Sequence, residues 1–120
     1  MVFDPERRLP NVEDATLDAR RRITYLLNPE HPAGRHKARV FMSALGIGPG
    51  HASDLSRQVM AAILTAPAVP GILDEYGQRY SVDVLVTGPR RGGMVRTGWI
   101  IRSRGGAPEF LSAYLLPRQT

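Results

Sequence analysis

The stretch Arg79-Tyr-Ser-Val-Asp-Val-Leu-Val86 decides how this sequence folds. Tyr80, Val82, Val84 and Val86 alternate with Ser81, Asp83 and Leu85, the period of a strand that buries one face. Gly88-Pro-Arg-Arg-Gly-Gly93 reads as a hairpin loop, and Met94–Ile101 repeats the strand character. A second turn over Ser103–Pro108 leads into a third strand, Glu109–Leu116. The expected strands are therefore 79–87, 94–102 and 109–116, joined as an antiparallel meander. For the middle strand, Val95, Thr97, Trp99 and Ile101 or Met94, Gly98 and Ile100 are equally suited to the buried face.

Working back from Arg79, the period changes around Pro70. Asp18 is a suitable N-cap for a helix over 18–27, with Ala19, Ile23, Leu26 and Leu27 on one side. Asn28-Pro29 stops it, because a residue before proline is pushed out of the helical region. A second helix over 35–45 places Ala38, Phe41, Met42 and Leu45 on one arc and stops at Gly46. A third over 53–64 aligns Leu55, Val59, Ala62 and Ile63, and Pro67 and Pro70 then break the chain. Helices first and strands second define an α+β domain, N-terminal helices packed on a small antiparallel sheet. The 120 residues form one domain, 1–120, with frayed ends at 1–10 and 117–120.

Composition narrows the function. There is no cysteine, which excludes disulfides, thiolate catalysis and cysteine zinc sites. No apolar run approaches the roughly 20 residues of a membrane span, and the polar start has no signal-peptide core. The expectation is a cytoplasmic protein with no membrane partner. Sixteen basic residues against eleven acidic ones give a net charge of +5, a balance that attracts RNA or another polyanion. Fifteen of the sixteen are arginine, which singles out Lys37. Lysine is a compact, mobile charge, unlike the planar fork of arginine.

Two groups of residues carry possible chemistry. The first is His31-Pro-Ala-Gly-Arg-His-Lys-Ala-Arg39. His31, Arg35, His36, Lys37 and Arg39 crowd a loop that opens a helix, where free amides and the helix dipole favour a phosphate. Histidine adds proton transfer near neutral pH. The plain alternative is a solvated basic face with Lys37 snorkelling along the helix rim. The second group lies on the strands: Arg79, Tyr80, Thr97, Trp99, Ser112 and Tyr114. Aligned across strands, their hydroxyls and guanidinium would orient a phosphodiester, although Tyr80 and Trp99 also suit a core. His31, His36 and His51 lack metal-ligand spacing. Gly46-Ile-Gly-Pro-Gly50 lacks the ending of a phosphate-binding loop, and no serine sits in a nucleophile elbow. No metal and no cofactor are expected.

The string Asn28-Pro-Glu-His-Pro-Ala-Gly-Arg-His-Lys-Ala-Arg-Val-Phe41 resembles a small bacterial family of unknown function with the pattern N-P-x-H-P-x-G-x-x-K-A-x-x-F. Tyr76-Gly-Gln-Arg-Tyr-Ser-Val-Asp83, Val95-Arg-Thr-Gly-Trp-Ile-Ile101 and Ser112-Ala-Tyr114 extend the likeness. That family in turn looks like the metal-independent RNase toxins of the barnase–EndoU–colicin–RelE group. The resemblance implies roles for His31, Lys37, Arg79, Thr97, Ser112 and Tyr114, while His36 falls on a variable position of the pattern. It also implies an endoribonuclease using the RNA's own 2′-OH, and an acidic immunity or antitoxin protein as partner. In the site this reading assembles, His31 or His36 moves protons. Lys37 and Arg79 carry phosphate charge, Thr97, Ser112 and Tyr114 orient the substrate, and Arg35, Arg39, Tyr80 and Trp99 bind it. The alternative is a non-catalytic module binding nucleic acid or protein through the same basic surface.

Overall fold

The computed structural model describes residues 8–15, 21–23 and 35–117. Two α-helices, α1 (Arg35–Leu45) and α2 (Ala52–Ala62), precede an antiparallel sheet of β1 (Ala68–Asp74), β2 (Gly77–Thr87), β3 (Gly92–Ile101) and β4 (Glu109–Leu115). Short 3-10 turns lie at Val12–Asp14 and Pro49–His51. The strands are adjacent in chain order, β1-β2-β3-β4, the meander that the sequence implies. Of the helix expected over 18–27, residues 21–23 are helical; the remainder lies outside the described residues.

Apolar periodicity places both helices on one side of the sheet. Phe41 and Leu45 of α1, with Leu55 and Val59 of α2, pack into a single core with Val82, Val84, Val86, Val95, Trp99, Phe110 and Ala113. At the end of α1, Gly46 takes a left-handed φ of 75°, the conformation in which glycine meets no Cβ penalty. The hairpin loop clamps this end: the Arg90 amide donates to the Leu45 carbonyl at 2.9 Å. Gln58 of α2 pins the far end of β2, accepting from the Thr87 amide and donating to its carbonyl, both at 2.8 Å.

Three features depart from what the sequence implies or leaves open. The sheet has a fourth strand, β1, where Pro67 and Pro70 signalled a break. β1 is an edge strand, where a proline's missing N–H does not interrupt the ladder, and the register shifts between Pro70 and Leu73. The second concerns the N-terminal segment, described from residue 8: Arg8 bridges to Pro67, and Leu9 and Val12 are core residues. Isolated apolar residues in a polar stretch have no periodicity to reveal this. Third, the inward face of β3 is Val95, Thr97 and Trp99.

Candidate functional site on the open sheet face

Burial of alternate residues leaves the opposite sheet face uncovered by any described helix. Register stacks its side chains in rows across the strands. Arg79, Ile100 and Glu109 form one row, in which Ile100 is itself buried. Ser81, Gly98 and Ser112 form the next, followed by Asp83, Arg96 and Tyr114. Directly opposed residues on neighbouring strands lie about 5 Å apart, so each row is a set of side chains in mutual reach.

The row of Asp83, Arg96 and Tyr114 is the most tightly organised. Arg96 Nε donates to Asp83 Oδ1 at 2.8 Å and Nη2 donates to Oδ2 at 3.0 Å, a two-point fork. The Asp83 hydrogen bonds, followed by the Tyr114 phenol, hold the Arg96 pKa above its usual value. The pair is accessible, with side chains 42% and 37% exposed. It borders a cleft of about 350 Å³ together with Pro67, Val69 and Ser81. Asp83 also lines a second cleft of about 480 Å³, shared with Arg91, Met94 and Leu115. Ser112 Oγ leans over the bare Gly98 position, within 3.0 Å of where a Cβ would stand.

Arg79 lies on this face, and its Nη1 donates to Asp74 Oδ2 at 2.9 Å. That bond, followed by the Tyr76 amide on the other Asp74 oxygen, lowers the Asp74 pKa. Arg102 and Glu109 form a third ion pair at 2.8 Å.

The structure divides the expected site residues. Arg79, Ser112 and Tyr114 share the open face. Thr97 and Trp99 do not, because both point into the core at 0% exposure. The Thr97 hydroxyl donates to the Val82 carbonyl at 2.7 Å and accepts from Trp99 Nε1 at 2.8 Å. Trp99 packs edge-on against Phe110 with ring centroids 5.4 Å apart. Neither side chain can touch a substrate in this structure, which corrects the expectation for both. Alternation put Thr97 on one face or the other, and the burial of tryptophan decided it. Tyr80 also faces inward, packed against the core.

On α1, Lys37 is half-buried and Arg39 exposed. The helix lies on the core side, so Lys37 and the open-face residues approach from opposite sides of the sheet. The strand that α1 packs against at the sheet edge is β4. Arg35 and His36 open α1, but their side chains, and all of His31, lie outside the described residues. Sequence reasoning missed Asp83 and Arg96. The alternation of 79–87 carried the signal for Asp83, and hairpin pairing across 88–91 places Arg96 opposite it.

Among the described residues no group of three or more His, Asp or Glu is arranged to hold a metal. No described helix is long and apolar enough to cross a membrane.

A helix-backed antiparallel meander whose second face carries Arg79, Ser81, Asp83, Arg96, Ser112 and Tyr114, with no described helix over it, defines the class of domain. Over residues 8–117 the sequence matches the family described as a domain of unknown function (DUF6883), and the chain belongs to that family. Its fold is similar to that of a chain in the contact-dependent growth inhibition toxin–immunity protein complex from Klebsiella pneumoniae 342. The TM-score is 0.62 at 17% identity, covering 90% of this chain and 98% of that one. No curated protein matches the sequence.

Proposed function

We propose that this chain is a toxin-type domain that cleaves RNA without a metal. The observation carrying the reading is the open sheet face, where Arg79, Arg96, Ser112 and Tyr114 stand on one side of the sheet and Arg96 borders a cleft, on a chain of net charge +5. Fold similarity to a member of a toxin–immunity complex supports it. The positive charge favours the nucleic-acid-binding role over the inhibitory one, since a protein that masks a cationic RNase surface presents complementary negative charge to it. An acidic immunity or antitoxin protein is then the expected partner, and the cytoplasm, where RNA is found, the place of action.

In this chemistry a base takes the ribose 2′-OH proton as the 2′-oxygen bonds to phosphorus. The bond from phosphorus to the 5′-oxygen breaks, and an acid protonates that oxygen. His31 or His36 is assigned the proton transfers. Lys37 and Arg79 offset the charge that builds on the phosphoryl oxygens. Ser112 and Tyr114 orient the phosphodiester, and Arg35 and Arg39 extend the path for the strand. In this reading the phosphate lies by β4, the strand that packs against the helix of Lys37 and carries Ser112 and Tyr114 on its open side.

The test is incubation of the purified protein with RNA in EDTA. Cleavage should leave a 2′,3′-cyclic phosphate, and DNA, which lacks the attacking hydroxyl, should stay intact. RNA left whole between pH 5 and 9 overturns the reading.

One observation favours a non-catalytic binding module instead. Arg79, Arg96 and Arg102 are each matched by a carboxylate, which makes this part of the surface closer to neutral than the chain as a whole. Under that alternative, RNA or a protein partner binds and no strand is cut.

A further inference from the structure

We infer that Arg96 is the residue that grips the scissile phosphate and that Asp83 is its positioning residue; the inference rests on the nuclease reading above. Three features separate Arg96 from the other arginines of the face. It stands on β3 with regular partners on both sides, Asp83 of β2 and Tyr114 of β4, whereas Arg79, on the equally interior β2, faces the register shift of β1 between Pro70 and Leu73. Arg79, by comparison, ties to Asp74 beside the β1–β2 turn, and Arg102 follows the end of β3.

The second feature is the geometry of the fork. Asp83 takes the edge formed by Nε and Nη2 with both of its oxygens. That fixes the guanidinium plane; its other neighbour is the Tyr114 phenol, and among the described residues no second carboxylate pairs with it. The remaining edge of a fixed, planar guanidinium suits two oxygens of one phosphate. Because the side chain is already ordered, little further rotamer freedom is lost when the anion arrives.

The third feature is what surrounds that fork. Tyr114, 43% exposed, is the cross-strand neighbour of Arg96 on β4. The cleft bordered by Ser81 and Val69 opens on the β1 side. A phosphodiester held by Arg96 would thus have a hydroxyl donor on one side and room for its flanking nucleoside on the other. Arg96 transfers no proton in this role; it holds the non-bridging oxygens while the bond to the 2′-oxygen forms and the bond to the 5′-oxygen breaks.

A carboxylate beside an RNA phosphate has two opposite consequences, and the Asp83 variant separates them. If Asp83 only repels the substrate, its removal tightens binding and leaves cleavage equal or faster. If Asp83 aims Arg96, its removal lowers the chemical rate although binding is unchanged or tighter. The experiment compares wild type, Arg96→Lys, Arg96→Ala and Asp83→Asn. Single-turnover cleavage is read on an RNA oligonucleotide, and affinity on its uncleavable copy with a 2′-deoxy scissile position. Melting temperatures are read alongside, and the Lys variant preserves charge if the Ala variant folds poorly.

Arg96→Lys should lower the rate about 100-fold, the scale of removing one transition-state contact, with affinity within about 3-fold because a charge remains. Asp83→Asn should lower the rate at least about 10-fold without weakening affinity. Asp83→Asn that cleaves as fast as wild type, or faster, removes Asp83 from the positioning role. Arg96→Lys at the wild-type rate removes Arg96 from the site while the nuclease reading stands. A wild-type protein that leaves the RNA whole overturns both.

Discussion

Trp99 Nε1 donates to Thr97 Oγ1 at 2.8 Å inside the core, two residues apart on the same face of β3. The Thr97 hydroxyl passes its own hydrogen to the Val82 carbonyl at 2.7 Å. One hydroxyl therefore satisfies the indole of the largest core side chain and links β3 to β2. Buried polar atoms that lose such a partner keep their desolvation cost.

Thr97→Val keeps the shape and removes the hydroxyl, leaving the indole N–H unpaired. We expect a loss of about 1–3 kcal/mol in urea unfolding, with Thr97→Ser costing less. Because the side chain is fully buried, RNA cleavage by the folded fraction should stay close to wild type. A hundredfold loss of activity at unchanged stability would return Thr97 to the catalytic set.

Gly88 sits where α1 meets the β2–β3 loop. A Cβ there would press on the Leu45 carbonyl oxygen and stand 2.7 Å from Ile47 Cγ1. The obstacle is largely backbone, so Gly88→Ala should cost about 1–3 kcal/mol. Gly50, where an added Cβ would meet nothing within 4 Å, serves as control: Gly50→Ala should change unfolding free energy by no more than about 0.5 kcal/mol.

Asp74 gives a pH dependence of known sign. Its folded pKa is lowered by Arg79 and by the Tyr76 amide, so its contribution is present above the unfolded value, about 3.9. It disappears as the pH falls through the lower folded value. Thermal melts of wild type and Asp74→Asn should differ at pH 6 and draw together as the pH falls below the ordinary carboxylate range. A difference that persists unchanged at the acid end would mean the ion pair is not its source.

Lys37→Ala tests the helix side of the proposed site. Cleavage should fall at least about 100-fold. Affinity should fall only slightly, and the slope of log affinity against log salt should lose about one unit, the mark of one phosphate contact. If the variant cuts as wild type does, Lys37 belongs to the solvated rim of α1.

Ser112→Ala separates orientation from charge on β4. The hydroxyl leans over Gly98 on the open face and carries no charge. The variant should bind RNA with the same salt slope and cleave about 10-fold more slowly. A changed salt slope with unchanged cleavage would place Ser112 outside the site.

The sequence by itself determined the order of elements, because period is a local property. Phe41 and Leu45 recur at helical spacing and Val82, Val84 and Val86 at strand spacing, and the same apolar atoms that create the pattern are those that fill the core. It also placed Ser112 and Tyr114 together on one strand face. Only the tertiary structure decided which face of β3 is inside. Alternation is symmetric, and the choice depended on whether Trp99 or Met94 filled the space beneath α1 and α2. That choice sent Thr97 and Trp99 into the core and brought Arg96 to the open side. β1 was hidden for a related reason: prolines that end an interior strand are harmless at an edge, and a residue's position at the edge is set by its neighbours in space. The fork between Asp83 and Arg96 depends likewise on hairpin register, a relation between two strands that neither contains alone.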